Sequence, residues 1–171
     1  MDYKDQLVLT GELNDVGSAL RANVDKSYRR GLELQFGYKV SPQLSINANG
    51  SFSQNKIESF NETIYNYGPG WDEYNADVIS YGETDIAFSP NVVAGGHIEY
   101  KPIEGLNLRW IHKYVGQQYL DNTSTDSRKL DAYYISDAMA SYTLNGDQVK
   151  KIRVQLAVYN LFDKLYSANG Y

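Results

Sequence analysis

Residues 28 to 40 read YRRGLELQFGYKV, and the pattern within them decides the fold. Leu32, Leu34, Phe36, Tyr38 and Val40 alternate strictly with Gly31, Glu33, Gln35, Gly37 and Lys39. A period of two sends every apolar side chain to one face of a β-strand and every polar or small one to the other. Ser41-Pro42-Gln43 then breaks the run, because proline presets a turn and cannot donate to a ladder. The alternation restarts at once, with Leu44, Ile46, Ala48, Gly50 and Phe52 against Ser45, Asn47, Asn49, Ser51 and Ser53. The two runs make a hairpin with one apolar face and one polar face.

The same pattern returns further along. Val92, Ala94, Gly96, Ile98 and Tyr100 oppose Val93, Gly95, His97 and Glu99, and a turn falls at Lys101 to Gly105. Leu106, Leu108, Trp110, His112 and Tyr114 then oppose Asn107, Arg109, Ile111, Lys113 and Val115. A noisier pair runs through Tyr134, Ser136, Ala138, Ala140, Tyr142 and Leu144, turns at Asn145-Gly146-Asp147, and returns through Ile152, Val154, Leu156 and Val158. Leu7-Val8-Leu9 closes one more strand, which makes about seven in all, and no segment carries a helical period.

The connections alternate short and long. Short turns sit at Ser41, Lys101 and Asn145, and long loops run from Gly11 to Lys26, Glu58 to Phe88 and Asp121 to Asp131. A compact soluble domain rarely carries a structureless loop of about 30 residues. Outer-membrane barrels have short turns on the periplasmic side and long loops outside, with strands of about 9–11 residues. The rival is a soluble β-sandwich or a lipocalin-like barrel, which alternation alone does not separate from a membrane barrel. The loop asymmetry does, and so does the polar face: Glu33, Gln35, Lys39, Asn47, Asn49, Arg109, Lys113 and Gln117 suit a wet lumen. The expected fold is all-β, an antiparallel transmembrane β-barrel segment.

Composition agrees. The chain holds 16 Tyr, 2 Trp and 5 Phe, and Tyr and Trp gather where a protein crosses a membrane–water boundary. Trp110, Tyr114, Tyr142 and Tyr100 occupy the apolar face and read as girdle residues. Mean hydropathy is −0.51, and no apolar run nears the ~18 residues of a transmembrane helix. Barrel strands average out as polar, so this does not exclude a barrel. A net charge of −5 argues against nucleic acid as a partner. The absence of cysteine excludes a disulfide scaffold and a thiolate zinc site. The opening MDYKDQLVLT is not a secretory leader, so an exported chain would begin elsewhere. No nucleophile elbow, glycine-rich phosphate loop or H-E-x-x-H appears, and the chain reads as no enzyme and without a cofactor.

KSYRRGLEL (26–34), TDIAFSPNVVAGG (84–96), KYVGQQYLDNTS (113–124) and RKLDAYYISDAMASYTL (128–144) resemble successive barrel segments of TonB-dependent receptors. The most specific likeness is the ending VYNLFDKLYSANGY, with NLFDK-x-Y from Asn160 to Tyr166. The resemblance covers essentially all of residues 1–171 and implies the C-terminal part of a barrel of about 22 strands whose lumen holds an N-terminal plug. It implies residence in the bacterial outer membrane, contact with lipid, and uptake of a scarce small-molecule or metal-complex ligand such as an iron complex or cobalamin. Coupling to the TonB complex would run through the plug, which this sequence does not contain, and neither does it contain the expected final aromatic-ended strand. About seven strands also fall short of the even numbers, from eight upward, of bacterial barrels. The alternative function is a soluble carbohydrate-binding β-sandwich.

The candidate binding site is the loop from Glu58 to Phe88. It holds many rings and acids, and no Lys or Arg occurs between Lys56 and Lys101. Tyr65, Tyr67, Trp71, Asp72, Glu73 and Tyr74 are the expected ligand-binding residues, since rings with acidic neighbours grip cationic or sugar-bearing ligands. The plainer reading is a loop that packs its own rings. WDEYNAD (71–77) lacks the carboxylate spacing of a calcium loop. His97, expected toward the lumen, and His112, expected toward lipid, read as structural, and no metal site is expected.

Overall fold

The computed structural model describes residues 1–13, 16–67, 69, 74–146 and 151–170. The long strands are β1 (Asp2–Leu13), β2 (Ala19–Lys39), β3 (Leu44–Ile57), β7 (Val92–Tyr100), β8 (Leu106–Val115), β11 (Tyr133–Leu144) and β12 (Ile152–Val158). Between β3 and β7 lie β4 (Phe60–Tyr67), β5 (Tyr74–Tyr81) and the short β6 (Thr84–Asp85). Between β8 and β11 lie β9 (Gln118–Tyr119), a 3-10 turn (Asp126–Arg128) and β10 (Lys129–Leu130). One antiparallel sheet runs β1-β2-β3-β7-β8-β11-β12, with β6 paired to the outer end of β3. The neighbouring strands of this sheet follow one another in the chain, so successive connections fall at alternate ends. The turns after Lys39, Tyr100 and Leu144 share one end, and the long connections share the other.

The register keeps two faces distinct across the sheet. Tyr38, Ile46, Ile98, Trp110, Ala138 and Val158 form one continuous cross-strand row. Gln35, Asn49, Gly95 and Lys113 form a parallel row on the opposite face. The apolar face is bare: Leu34 is 54% exposed, Phe36 58% and Leu156 66%. Water does not tolerate so broad an apolar surface on a soluble protein, and a sandwich would bury this face against a second sheet. The β-sandwich alternative is therefore not favoured. Trp110, Tyr114, Tyr142 and Tyr100 stand half-exposed on the same face, as girdle residues do.

The buried apolar cluster lies beyond the bare rows, where the long connections leave the sheet. Val8, Val24, Ile57, Phe60 and Ile86 form it, with Tyr81 packed against them. Gly105, at φ +80°, ends the β7–β8 turn, and a Cβ there would stand 2.5 Å from the Thr143 carbonyl. The NLFDK motif has a physical account. Asn160 adopts φ +50° and Asp163 φ +48°, and the Asn160 side chain accepts from Lys164 N at 3.0 Å and donates to Lys164 O at 3.1 Å. Asparagine suits such a left-handed, self-bridged turn. Tyr166 then stacks on Tyr133 with centroids 4.5 Å apart.

Two expectations about the long connections need correction. The stretch from Gly11 to Lys26 is not one loop: β1 extends to Leu13 and β2 begins at Ala19, and the two pair from Asp2↔Tyr28 to Leu9↔Arg21 and, after a register shift, at Leu13↔Ala19. The connection from 58 to 88 is not structureless, because β4 and β5 pair from Phe60↔Tyr81 to Tyr67↔Tyr74. Ladder bonding carries these strands where no face needs a regular apolar pattern.

Candidate functional site

The β4–β5 hairpin has a packed base. At the base, Phe60 sits opposite Tyr81 and is 5% exposed, buried in the apolar cluster. Most of the acidic side chains below the tip already have partners. Glu62 accepts from the Tyr81 hydroxyl at 2.8 Å and from Arg128 Nη1 at 2.5 Å. Glu83 accepts from the Tyr28 hydroxyl at 3.0 Å, and Asp77 accepts from Asn66 Nδ2 at 2.6 Å. Asp85 pairs with Lys56 at 3.0 Å, and its backbone N–H donates to Ser124 Oγ at 2.7 Å. The base thus follows the plainer, self-packing reading.

The tip is where the expected ligand-binding residues lie. Tyr65 presents about half its surface, at 51% exposure. Tyr67 and Tyr74 are the last backbone pair of the ladder. Trp71, Asp72 and Glu73 lie outside the described residues, as do the side chains of Tyr67 and Tyr74. On the sheet below, Glu33, Gln35, Asn47, Asn49, Arg109 and Lys113 share the polar face by register. Gln117 is exposed in the link between β8 and β9. Toward the short-turn end of that face, Glu99 is gripped by Arg109, Lys101 and Asn107, each at 2.9 Å. His97 shares the polar face, its Nε2 3.3 Å from Asn47 Nδ2. His112 lies on the apolar face between Trp110 and Tyr134, at 4.4 and 5.9 Å between centroids. Among the described residues no group of acids and histidines is placed to hold a metal ion.

The structure adds a second element that the sequence reading passed over. The β8–β11 connection folds against both the hairpin and β1. Asn122 is wholly buried; its Oδ1 accepts from Ala87 N at 2.8 Å and its Nδ2 donates to the Leu9 carbonyl. Asp121, 5% exposed, accepts from Thr123 N at 2.9 Å and Thr123 Oγ1 at 2.7 Å, and its other oxygen accepts from Arg128 at 2.9 Å. The two carboxylates beside Arg128, Glu62 foremost, hold its pKa above the usual guanidinium range. The Glu62 hydrogen bond likewise raises the Tyr81 phenol. Hydrogen bonding to Lys129 lowers the Asp126 carboxyl and raises the Lys129 amine in return. One signal was available in the sequence: Asp121-Asn122-Thr123-Ser124 is a run of residues whose side chains hydrogen-bond to nearby backbone.

Comparison with known proteins gives one family model, TonB dependent receptor-like, beta-barrel, over residues 1–161. Among solved structures, the chain resembles the siderophore receptor PiuA from Acinetobacter baumannii, at TM-score 0.67 and 22% identity, over 99% of this chain and 22% of that one. It resembles the ferric yersiniabactin uptake receptor FyuA from Yersinia pestis, at TM-score 0.61 and 18% identity, over 95% of this chain and 22% of that one. It also resembles the ferric enterobactin receptor PfeA from Pseudomonas aeruginosa, solved as a mutant with enterobactin, at TM-score 0.57 and 17% identity, over 98% and 23%. The chain therefore spans under a quarter of the length of each of these receptors, and at such identities the likeness concerns the fold.

Proposed function

This chain belongs to the family of TonB-dependent receptor β-barrels, and from that premise we propose that it forms one arc of the wall of an outer-membrane importer for iron complexes. The carrying observation is the two-faced sheet, bare and apolar on one side, polar on the other, with all long connections at one end. In this reading the apolar face meets lipid, and Glu33, Gln35, Asn47, Asn49, Arg109, Lys113 and Gln117 face the lumen. The edges of β1 and β12 are free within the described sheet. Unpaired backbone groups in hydrocarbon cost several kcal/mol each, so further strands of the same receptor would pair with them and close the barrel. A plug domain elsewhere in that receptor would fill the lumen and carry the TonB contact.

The β4–β5 hairpin is then the ligand-facing element, and Tyr65, Tyr67, Trp71, Asp72, Glu73 and Tyr74 are the residues we propose to meet the ligand. Iron complexes are favoured over cobalamin because the three solved chains above are receptors for siderophores or their ferric complexes. The test is uptake by cells producing the full-length protein, supplied with ferric enterobactin, ferric yersiniabactin or cobalamin. Uptake of a ferric complex that disappears when residues 65–74 are replaced by a short glycine turn is the expected result. Uptake of cobalamin alone, or of none of the three, would overturn the iron-complex assignment.

A further inference from the structure

Among the described residues, the β4–β5 hairpin pairs along its backbone with itself and joins no other sheet. Its pose over the barrel wall is therefore set by side chains. Phe60 roots it in the apolar cluster, and two pairs further up the ladder Glu62 meets Arg128. From Glu62 to the last pair at Tyr67 the strand runs on for about 17 Å, so a small change of angle at Glu62 is amplified at the tip.

We infer that Arg128 is a positioning residue, and that residues 121–131 act as a strut holding the aromatic hairpin over the sheet through the Glu62–Arg128–Asp121 bridge. This rests on the reading that the hairpin tip meets the ligand. The guanidinium is launched from a backbone held on both sides: Arg128 N donates to Thr125 O at 2.9 Å, and its carbonyl accepts from Leu120 N at 2.9 Å. The strut is itself anchored away from the hairpin, through Asn122 to Leu9 and Ala87 and through Ser124 to Asp85. A rigid post on one side and the hairpin on the other are bridged by Arg128 Nη1, which donates to both carboxylates. Those carboxylates are largely shielded, the Glu62 side chain 15% exposed and that of Asp121 7%. Without a cation between them, two acids so placed repel each other and push the hairpin away from its post.

The test uses the full-length protein in detergent, otherwise free of cysteine, spin-labelled through Val78→Cys on the hairpin and Asn23→Cys on β2. Heat-modifiable gel migration confirms that each variant folds. The parent and Arg128→Lys should give one narrow distance distribution. Arg128→Ala and Glu62→Gln should widen it about twofold or more, the half-exposed guanidinium limiting the effect. Unchanged distributions in both variants would overturn the strut. Widened distributions with unaltered uptake of a ferric complex that the parent imports would leave the strut standing and remove the tip from ligand capture.

Discussion

Replacing Asn122 by alanine removes both ends of a buried bridge while leaving the surrounding strands intact. The Ala87 amide loses its acceptor at 2.8 Å, and the Leu9 carbonyl loses its donor. A buried backbone group left unpaired costs about 1–3 kcal/mol, so the buried Ala87 amide and the part-buried Leu9 carbonyl together cost at most about 2–6. Alanine also vacates roughly enough space for a water molecule to recover part of the loss, which brings the expectation to about 2–4 kcal/mol. At about 1.4 kcal/mol per tenfold, local opening becomes about 30-fold to several hundredfold more frequent. Hydrogen exchange followed by mass spectrometry on the full-length protein should show this as faster labelling of the peptide containing Ala87 and of residues 121–131. Peptides from residues 32–39 and 44–52 should keep their protection. Parental exchange at Ala87 in Asn122→Ala would refute the bridge.

Two further expectations bear on the wall and on pH. Leu34→Arg, on the bare apolar face, should destabilise the membrane-inserted full-length protein by about 2–4 kcal/mol, whereas Gln35→Arg on the opposite face should stay within about 0.5 kcal/mol. Urea unfolding from lipid vesicles measures both, and equal effects would defeat the assignment of faces. The Tyr81 phenol is raised chiefly by its hydrogen bond to Glu62. A group whose folded pKa lies above its unfolded value stabilises below the unfolded value and ceases to as pH rises through the folded one. Hairpin exchange should therefore accelerate above the ordinary tyrosine range, less so in Tyr81→Phe, and a pH response identical in that variant would exclude Tyr81 as its source.

The wall was legible in the sequence because a membrane imposes a strict pattern on it. From Leu32 to Lys39 and from Leu44 to Phe52 each residue must suit either hydrocarbon or water, so the alternation is complete in both strands and the register follows. Above the wall that demand lapses. Asn23, Asp25 and Lys26 lie in a paired strand, yet they read as loop because both sides of the ladder tolerate polar residues there. The β4–β5 ladder was obscured in the same way, Glu62 and Asn66 standing among rings and β-branched residues. Within the candidate site, the aromatic tip could be proposed from composition. Arg128 could not be found that way, since its two acids come from positions 62 and 121 and only folding brings them together.

The Asn122 bridge also bears on the order in which the chain comes together. Neighbours in the main sheet follow one another in sequence, so most of its pairings are local in the chain despite the all-β architecture, and low contact order favours rapid zippering. The contact between Asn122 and Leu9 is the opposite kind, spanning 113 residues. Formed first, it would have to close that whole loop of disordered chain. Once β2, β3, β7 and β8 are laid side by side, the two residues are already within reach, and almost no loop entropy remains to be lost. The bridge is thus the clasp of the arc, fastened after the strands it spans are in place.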